Sequence, residues 1–317
     1  MEKIFEYARK NNISDIHIIE GERIYFRKDG EIVACEYSQS LSREDILKIC
    51  SGKFEEDFAY TDSKNQRYRI NSFFTKGKLA LVIRVINDDA IKLKGEFINK
   101  VIDEKILALK DGLVLISGIT GSGKSTTLAN IIEKFNENKS IKILTIEDPI
   151  EYIFENKKAL IIQRELGTDV ESFEKALKSS LRQDPDVIVL GEIRDEESLF
   201  SALKLAETGH LVFSTLHTMN AVESINRLIS MVRSDKRDFI REQLASVLRF
   251  IFSQELYRDK KTKKVKAIFE ILNNTKAVAN LISNNKLNQI PSLIESGIEN
   301  YMITKEKYFK KIEIESD

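Results

Sequence analysis

The 317-residue sequence predicts an α/β protein: a small N-terminal α+β domain over residues 1–90, a linker at 91–105, and a larger α/β domain over 106–317. Three observations carry this. Residues 1–90 alternate short apolar runs with turn residues, as hairpins do; from residue 111 strands and helices alternate; and a glycine-rich turn joins the first such strand to the first such helix. After about residue 236 the pattern turns helical, which predicts a helical C-terminal appendage.

In chain order, a short helix precedes strands at Ile16–Ile19, Arg23–Arg27 and Ile32–Ala34, with a turn at Lys28-Asp29-Gly30. Arg67–Phe74 and Leu79–Ile86 form a second hairpin, and Gly77 in Thr75-Lys76-Gly77-Lys78 supplies its turn. From Asn87-Asp88-Asp89 onward the residues are polar and weakly patterned, hence the linker. Strands are expected at 113–117, 142–146, 187–190 and 211–215 in a mostly parallel sheet. Phe239, Leu244, Val247, Leu248 and Ile251 form one helical stripe, and a short strand is expected around Ala267–Leu272.

Composition excludes several classes. Lys+Arg and Asp+Glu are 50 each, so no net charge steers the chain toward nucleic acid or anionic lipid. Two cysteines, Cys35 and Cys50, provide neither a four-cysteine zinc site nor a disulfide framework, which fits a reducing cytoplasm. No apolar run is long enough to span a membrane, and nothing reads as an export signal.

The glycine-rich turn is Gly118-Ile119-Thr120-Gly121-Ser122-Gly123-Lys124-Ser125, followed by Thr126; it fits G-x-x-x-x-G-K-[ST] and leaves the apolar run Leu113–Ile116. Glycines let successive N–H groups turn inward around phosphates, Lys124 reaches the β/γ-phosphates, and the Ser125 hydroxyl suits Mg²⁺. The helix that follows turns its positive end toward the anion. ATP and Mg²⁺ are therefore the expected cofactors.

Two apolar strands end in acid: Ile143–Ile146 runs into Glu147-Asp148, and Val187–Leu190 into Gly191-Glu192. Ligands of open α/β sheets bind beyond the carboxyl ends of strands, so these acids are expected to face the phosphate loop. Glu192 is the first choice for polarising the attacking water, with Glu147 and Asp148 in the metal and water shell. His217, just past Leu211–Leu216, is a candidate γ-phosphate sensor; His210 positions its own turn and His17 is structural. Arg69 and Arg84, on paired strands of the small domain, are candidates to stabilise phosphoryl charge.

The phosphate loop, Ile146–Tyr152, Asp184–Asp195 and Ala206–Thr218, in that order, resemble the ATPases of the type II/IV secretion superfamily, whose corresponding motifs are the Walker A, Asp, Walker B and His boxes. The resemblance covers essentially the whole chain and implies a PAS-like N-terminal domain and a RecA-like motor domain. It further implies a homohexamer at the cytoplasmic face of the inner membrane, held there through an inner-membrane pilus platform protein, with no nucleic-acid partner. Ser14–His17, Arg69–Phe73 with Ile83-Arg84, and Asn288–Gly297 look most like the branch that retracts type IV pili. Ala277–Asn284 departs from that branch in lacking charged residues, and Ser214 stands where glycine is common. An assembly ATPase on the same fold is the alternative, ahead of a nucleotide switch or a DNA translocase.

Overall fold

The computed structural model describes residues 2–11, 13–28, 30–35, 40–50, 52–64, 66–86, 93, 95–258 and 265–314. Asp29 of the expected Lys28–Gly30 turn and the Asn87–Asp89 start of the expected linker lie outside them. The chain divides into two units, one of residues 1–90 with Pro149–Ile153, the other of residues 91–148 with 154–317.

In the first unit α1 (Glu2–Lys10) leads into β1 (Ile13–Ile19), β2 (Tyr25–Lys28) and β3 (Glu31–Ala34). After α2 (Arg43–Cys50) come β4 (Asp57–Thr61), β5 (Arg67–Thr75) and β6 (Lys78–Val85). The sheet is antiparallel throughout, in the order β3-β2-β1-β6-β5-β4. Alternation along β1 and β6 puts Ile16, Ile18, Leu81 and Ile83 on the face that Phe5, Ala8, Ile46 and Ile49 cover from the two helices. Thr75 pairs with Lys78, so Lys76 and Gly77 form a two-residue turn with φ of 50° and 76°. Positive φ at both positions gives the turn the right-handed twist of its flanking strands; Gly77 takes it freely and Lys76 at some cost. Cys35 and Cys50 are free and buried.

The second unit opens with α3 (Glu96–Glu104), whose Ile98, Val101 and Ile102 are buried in its core. Residues 91–105, expected as a linker, therefore include a packed helix: its charged residues mark a solvated face, and its apolar spacing was too short to stand out. The sheet then forms from β7 (Gly112–Ser117), β8 (Lys142–Glu147), β9 (Leu160–Glu165), β10 (Val187–Glu192) and β11 (Leu211–Leu216), interleaved with α4 (Lys124–Asn138), α5 (Phe173–Ser180) and α6 (Glu196–Glu207). Next come α7 (Ala221–Ser230), α8 (Arg237–Val247), β12 (Leu248–Arg258) and β13 (Val265–Asn273), and then α9 (Lys276–Ser283), α10 (Ile290–Ser296) and α11 (Lys305–Ile314).

The strand order is β13-β12-β7-β11-β10-β8-β9, parallel except for β13, which runs antiparallel to β12. Both faces are covered. One core packs α5–α9 against the sheet; the other packs α3, α4 and α11. This is why β7 and β11 are buried at every residue and read as unbroken apolar runs. The four expected strands correspond to β7, β8, β10 and β11.

The C-terminal third is less helical than the sequence suggests. The stripe read through Ile251 ends as a helix at Val247, and residues 248–258 form β12 inside the main sheet, beside β7. Apolar residues at 244, 247, 248 and 251 satisfy helical spacing across this boundary, while Phe250-Ile251-Phe252 favours a strand. The strand expected at Ala267–Leu272 is the middle of β13.

Candidate active site

Because β7, β11, β10 and β8 are parallel neighbours, their carboxyl ends gather at one edge. The phosphate loop leaves β7 there: the Gly118 N–H donates to the Leu216 carbonyl at the end of β11, at 3.2 Å. Gly118 has φ 154°, and a Cβ on it would lie 2.4 Å from both the Gln254 carbonyl and Ser122 Oγ. Gly123 caps α4 in the left-handed region at φ 86°. Both positions demand glycine, one for close approach and one for conformation. Lys124 Nζ donates to the Gly118 and Ile119 carbonyls at 2.7 and 3.1 Å, staying within the loop it is expected to serve.

Gln254, buried in β12, clamps the loop. Its Oε1 accepts from Thr127 Oγ1 at 2.5 Å and its Nε2 donates to the Ser122 carbonyl at 2.6 Å. The neighbouring Ser117 and Ser253 hydroxyls bond each other at 2.8 Å. Ser122 Oγ is itself buried with no hydrogen-bond partner, an orphaned polar atom inside the cradle. Sequence reasoning missed Gln254 because its strand was read as helix; the available signal was a polar residue inside an apolar β-forming run.

At the next strand ends, Thr120 of the loop, His217 and Glu192 form a chain. Thr120 Oγ1 lies 3.4 Å from His217 Nδ1, and His217 Nε2 lies 3.4 Å from Glu192 Oε1. Glu192 Oε2 accepts from Arg194 Nε at 2.9 Å. That bond and the carboxylate charge raise the Arg194 pKa further, with Asp148 adding to the effect. Arg194 belongs to the same run as Glu192 but received no role from sequence. Glu147 closes β8, where its Oε1 accepts from Thr145 Oγ1 at 2.6 Å and from Gln163 Nε2 at 3.2 Å. Asp148 beside it is exposed.

Arg69 and Arg84 belong to the first unit, where they are cross-strand partners on β5 and β6. Their like charges are balanced locally: Arg84 Nε lies 3.0 Å from Asp15 Oδ1, and Arg69 lies 3.5 Å from Asp57 and 3.7 Å from Glu151. His210 Nδ1 lies within 3.2 Å of Thr208 Oγ1 and the Leu205 carbonyl, inside its own turn. Burial lowers the His17 pKa, and its Nε2 is buried without a partner. For Mg²⁺ the donor chemistry fits: the Ser125 hydroxyl and the Glu147 and Asp148 carboxylates are hard oxygen ligands of the kind that hold this ion beside phosphate. Among the described residues no cluster of three or more His, Cys, Asp or Glu side chains forms a metal site independent of substrate.

A sequence model of the type II/IV secretion system protein family matches residues 56–307, most of the chain. The chain belongs to that family. It is a P-loop ATPase. The twitching motility protein of Neisseria gonorrhoeae is 41% identical over 86% of this chain and 73% of its own length. The type IV pilus retraction ATPase PilT of Pseudomonas aeruginosa is 36% identical over 93% of this chain and 88% of its own. A crystal structure of the pilus retraction motor PilT with bound ADP superposes at a TM-score of 0.81 and 36% identity, over 98% of this chain and 96% of that one. Among the described residues no helix is long and apolar enough to cross a membrane.

Proposed function

We propose that this ATPase is a hexameric motor that hydrolyses ATP with Mg²⁺ to power type IV pilus retraction. The observation that carries the reading is the chain-long likeness to a pilus retraction motor solved with ADP. The N–H groups of Gly118–Thr126 and Lys124 hold the phosphates, and Gln254 fixes the loop's shape. Ser125 and the Glu147–Asp148 acids would hold Mg²⁺, which would supply positive charge to the transferring phosphoryl group. Glu192 orients water and accepts its proton, while Arg194 and His217 hold the carboxylate in place.

His217 couples phosphate loss to Glu192 through Thr120. Arg69 and Arg84 supply positive charge to the γ-phosphate, exchanging their carboxylate partners for it. Hydrolysis alternately tightens and releases the small unit, and in a ring of six this passes force to an inner-membrane platform protein at the cytoplasmic face.

The test is pilus counting by electron microscopy after deletion of the gene, with complementation by wild type or Glu192→Gln. Excess pili that only the wild type removes are expected. Loss of pili would make this an assembly ATPase with the same active site.

A further inference from the structure

A cavity of about 640 Å³ shares its wall with Glu192 and His217, yet no residue of the phosphate loop lines it. Its size falls within the range of about 300–1,000 Å³ typical of small-ligand clefts. Four arginines from three elements converge on it: Arg194 after β10, Arg227 of α7, and Arg237 and Arg241 of α8. Their charges are not balanced within it. Arg194 bonds Glu192 and Arg241 pairs with Asp238, but Arg227 and Arg237 make no ion pair among the described residues. Arg241 Nε is buried with no acceptor. The second carboxylate of the lining, Glu223, is engaged by the Met219 N–H at 2.8 Å. Ile193, Leu216 and Ile229 supply apolar wall, which strengthens the field of the unpaired guanidiniums.

We propose that this cavity is a second anion subsite, which receives the inorganic phosphate released by hydrolysis. The proposal rests on ATP cleavage at Glu192. Water adds to the γ-phosphorus as its bond to the ADP oxygen breaks, and the proposal concerns only where the resulting phosphate goes. Arg194 both bonds Glu192 and lines the cavity beside Arg227, Arg237 and Arg241, so the departing dianion exchanges one guanidinium for the next. Planar guanidiniums suit this, since each offers paired donors to a phosphate edge.

Calorimetric titration of inorganic phosphate into the full chain, saturated with Mg²⁺ and a β,γ-imido ATP analogue, tests the subsite. The analogue fills the γ-position, so any phosphate bound sits elsewhere. One phosphate per chain is expected. Arg227→Gln with Arg237→Gln should weaken it by about tenfold or more, the worth of one charge-assisted hydrogen bond, and the corresponding lysine pair should recover part of the loss. Arg237→Gln alone, at the exposed first turn of α8, reports if the double variant does not fold.

Absence of phosphate binding to the analogue-saturated wild type would overturn the proposal, as would binding undiminished in the glutamine variants. An acidic side chain of a second copy occupying the cavity would give the first of these outcomes. A steady-state turnover assay on Glu192→Gln, beside the phosphate titration on the wild type, separates the two readings: normal turnover with wild-type phosphate binding would sink Glu192 as base and leave the subsite standing, whereas abolished turnover without wild-type phosphate binding would do the reverse.

Discussion

Each candidate site residue takes its meaning from a partner. Glu192 is held between Arg194 and His217, and an amide of the same shape keeps the packing but cannot take a proton. Glu192→Gln should therefore bind ATP normally and lose turnover by about 10³-fold, within the usual contribution of a general base; a fluorescent ATP analogue and a phosphate-release assay measure the two quantities. In the first unit Asp62 carries a similar burden for stability. Burial works to raise its pKa, but the N–H groups of Gln66 and Lys64, the Arg9 guanidinium and the Tyr68 hydroxyl outweigh this and hold it below the usual carboxylate range.

A lowered folded pKa means that this stabilisation is present above the unfolded value of about 4 and is lost as pH falls through the folded one. Asp62→Asn should cost about 1–2 kcal/mol at pH 7, since it removes the charged acceptor of the half-buried Arg9 and of the Lys64 and Gln66 N–H groups, and less at pH 3. Urea unfolding of variant and wild type at both pH values measures the difference.

Among the elements, β12 matters most to the site, and the sequence concealed it. Leu244, Val247, Leu248 and Ile251 keep helical spacing while the backbone changes from helix to strand between Val247 and Leu248. The four central strands were legible because burial on both faces forces unbroken apolar runs. The phosphate loop and both strand-end acids were equally legible, because their chemistry is written in consecutive residues. The Gln254 clamp was not, since it joins residues far apart in the chain, and the Pro149–Ile153 segment gave no sign that it groups with the first unit.

Gln254→Leu preserves the bulk of the side chain but strips partners from the buried Thr127 hydroxyl and the Ser122 carbonyl. Each loss is worth about 1–3 kcal/mol, so KM for ATP should rise at least about tenfold while kcat changes less. Gly118→Ala should abolish nucleotide binding outright, because its methyl group would meet the Gln254 carbonyl and Ser122 Oγ. Steady-state kinetics and nucleotide titration check the two.

At the scale of the whole molecule, the apolar core of the first unit draws only on residues up to Val85, whereas the phosphate loop rests on the two cores of the second. Two separable cores predict two transitions in scanning calorimetry. Saturation with Mg²⁺-ATP analogue at 100 times Kd should stabilise the second unit by about 2.7 kcal/mol, and Arg69→Gln with Arg84→Gln should remove any accompanying upward shift of the first. A single transition shifting as one would show that the units unfold cooperatively.

The clamp also has a consequence for biosynthesis. Gln254 holds Ser122 across a separation of 132 residues, so the loop is finished only by a strand made long after it. Closing so long a stretch of chain is entropically costly and slow compared with forming a local turn. On the ribosome, the Gly118–Ser125 motif therefore emerges well before it is a site, and a nascent chain arrested short of β12 carries the signature of a nucleotide binder without the ability to bind one.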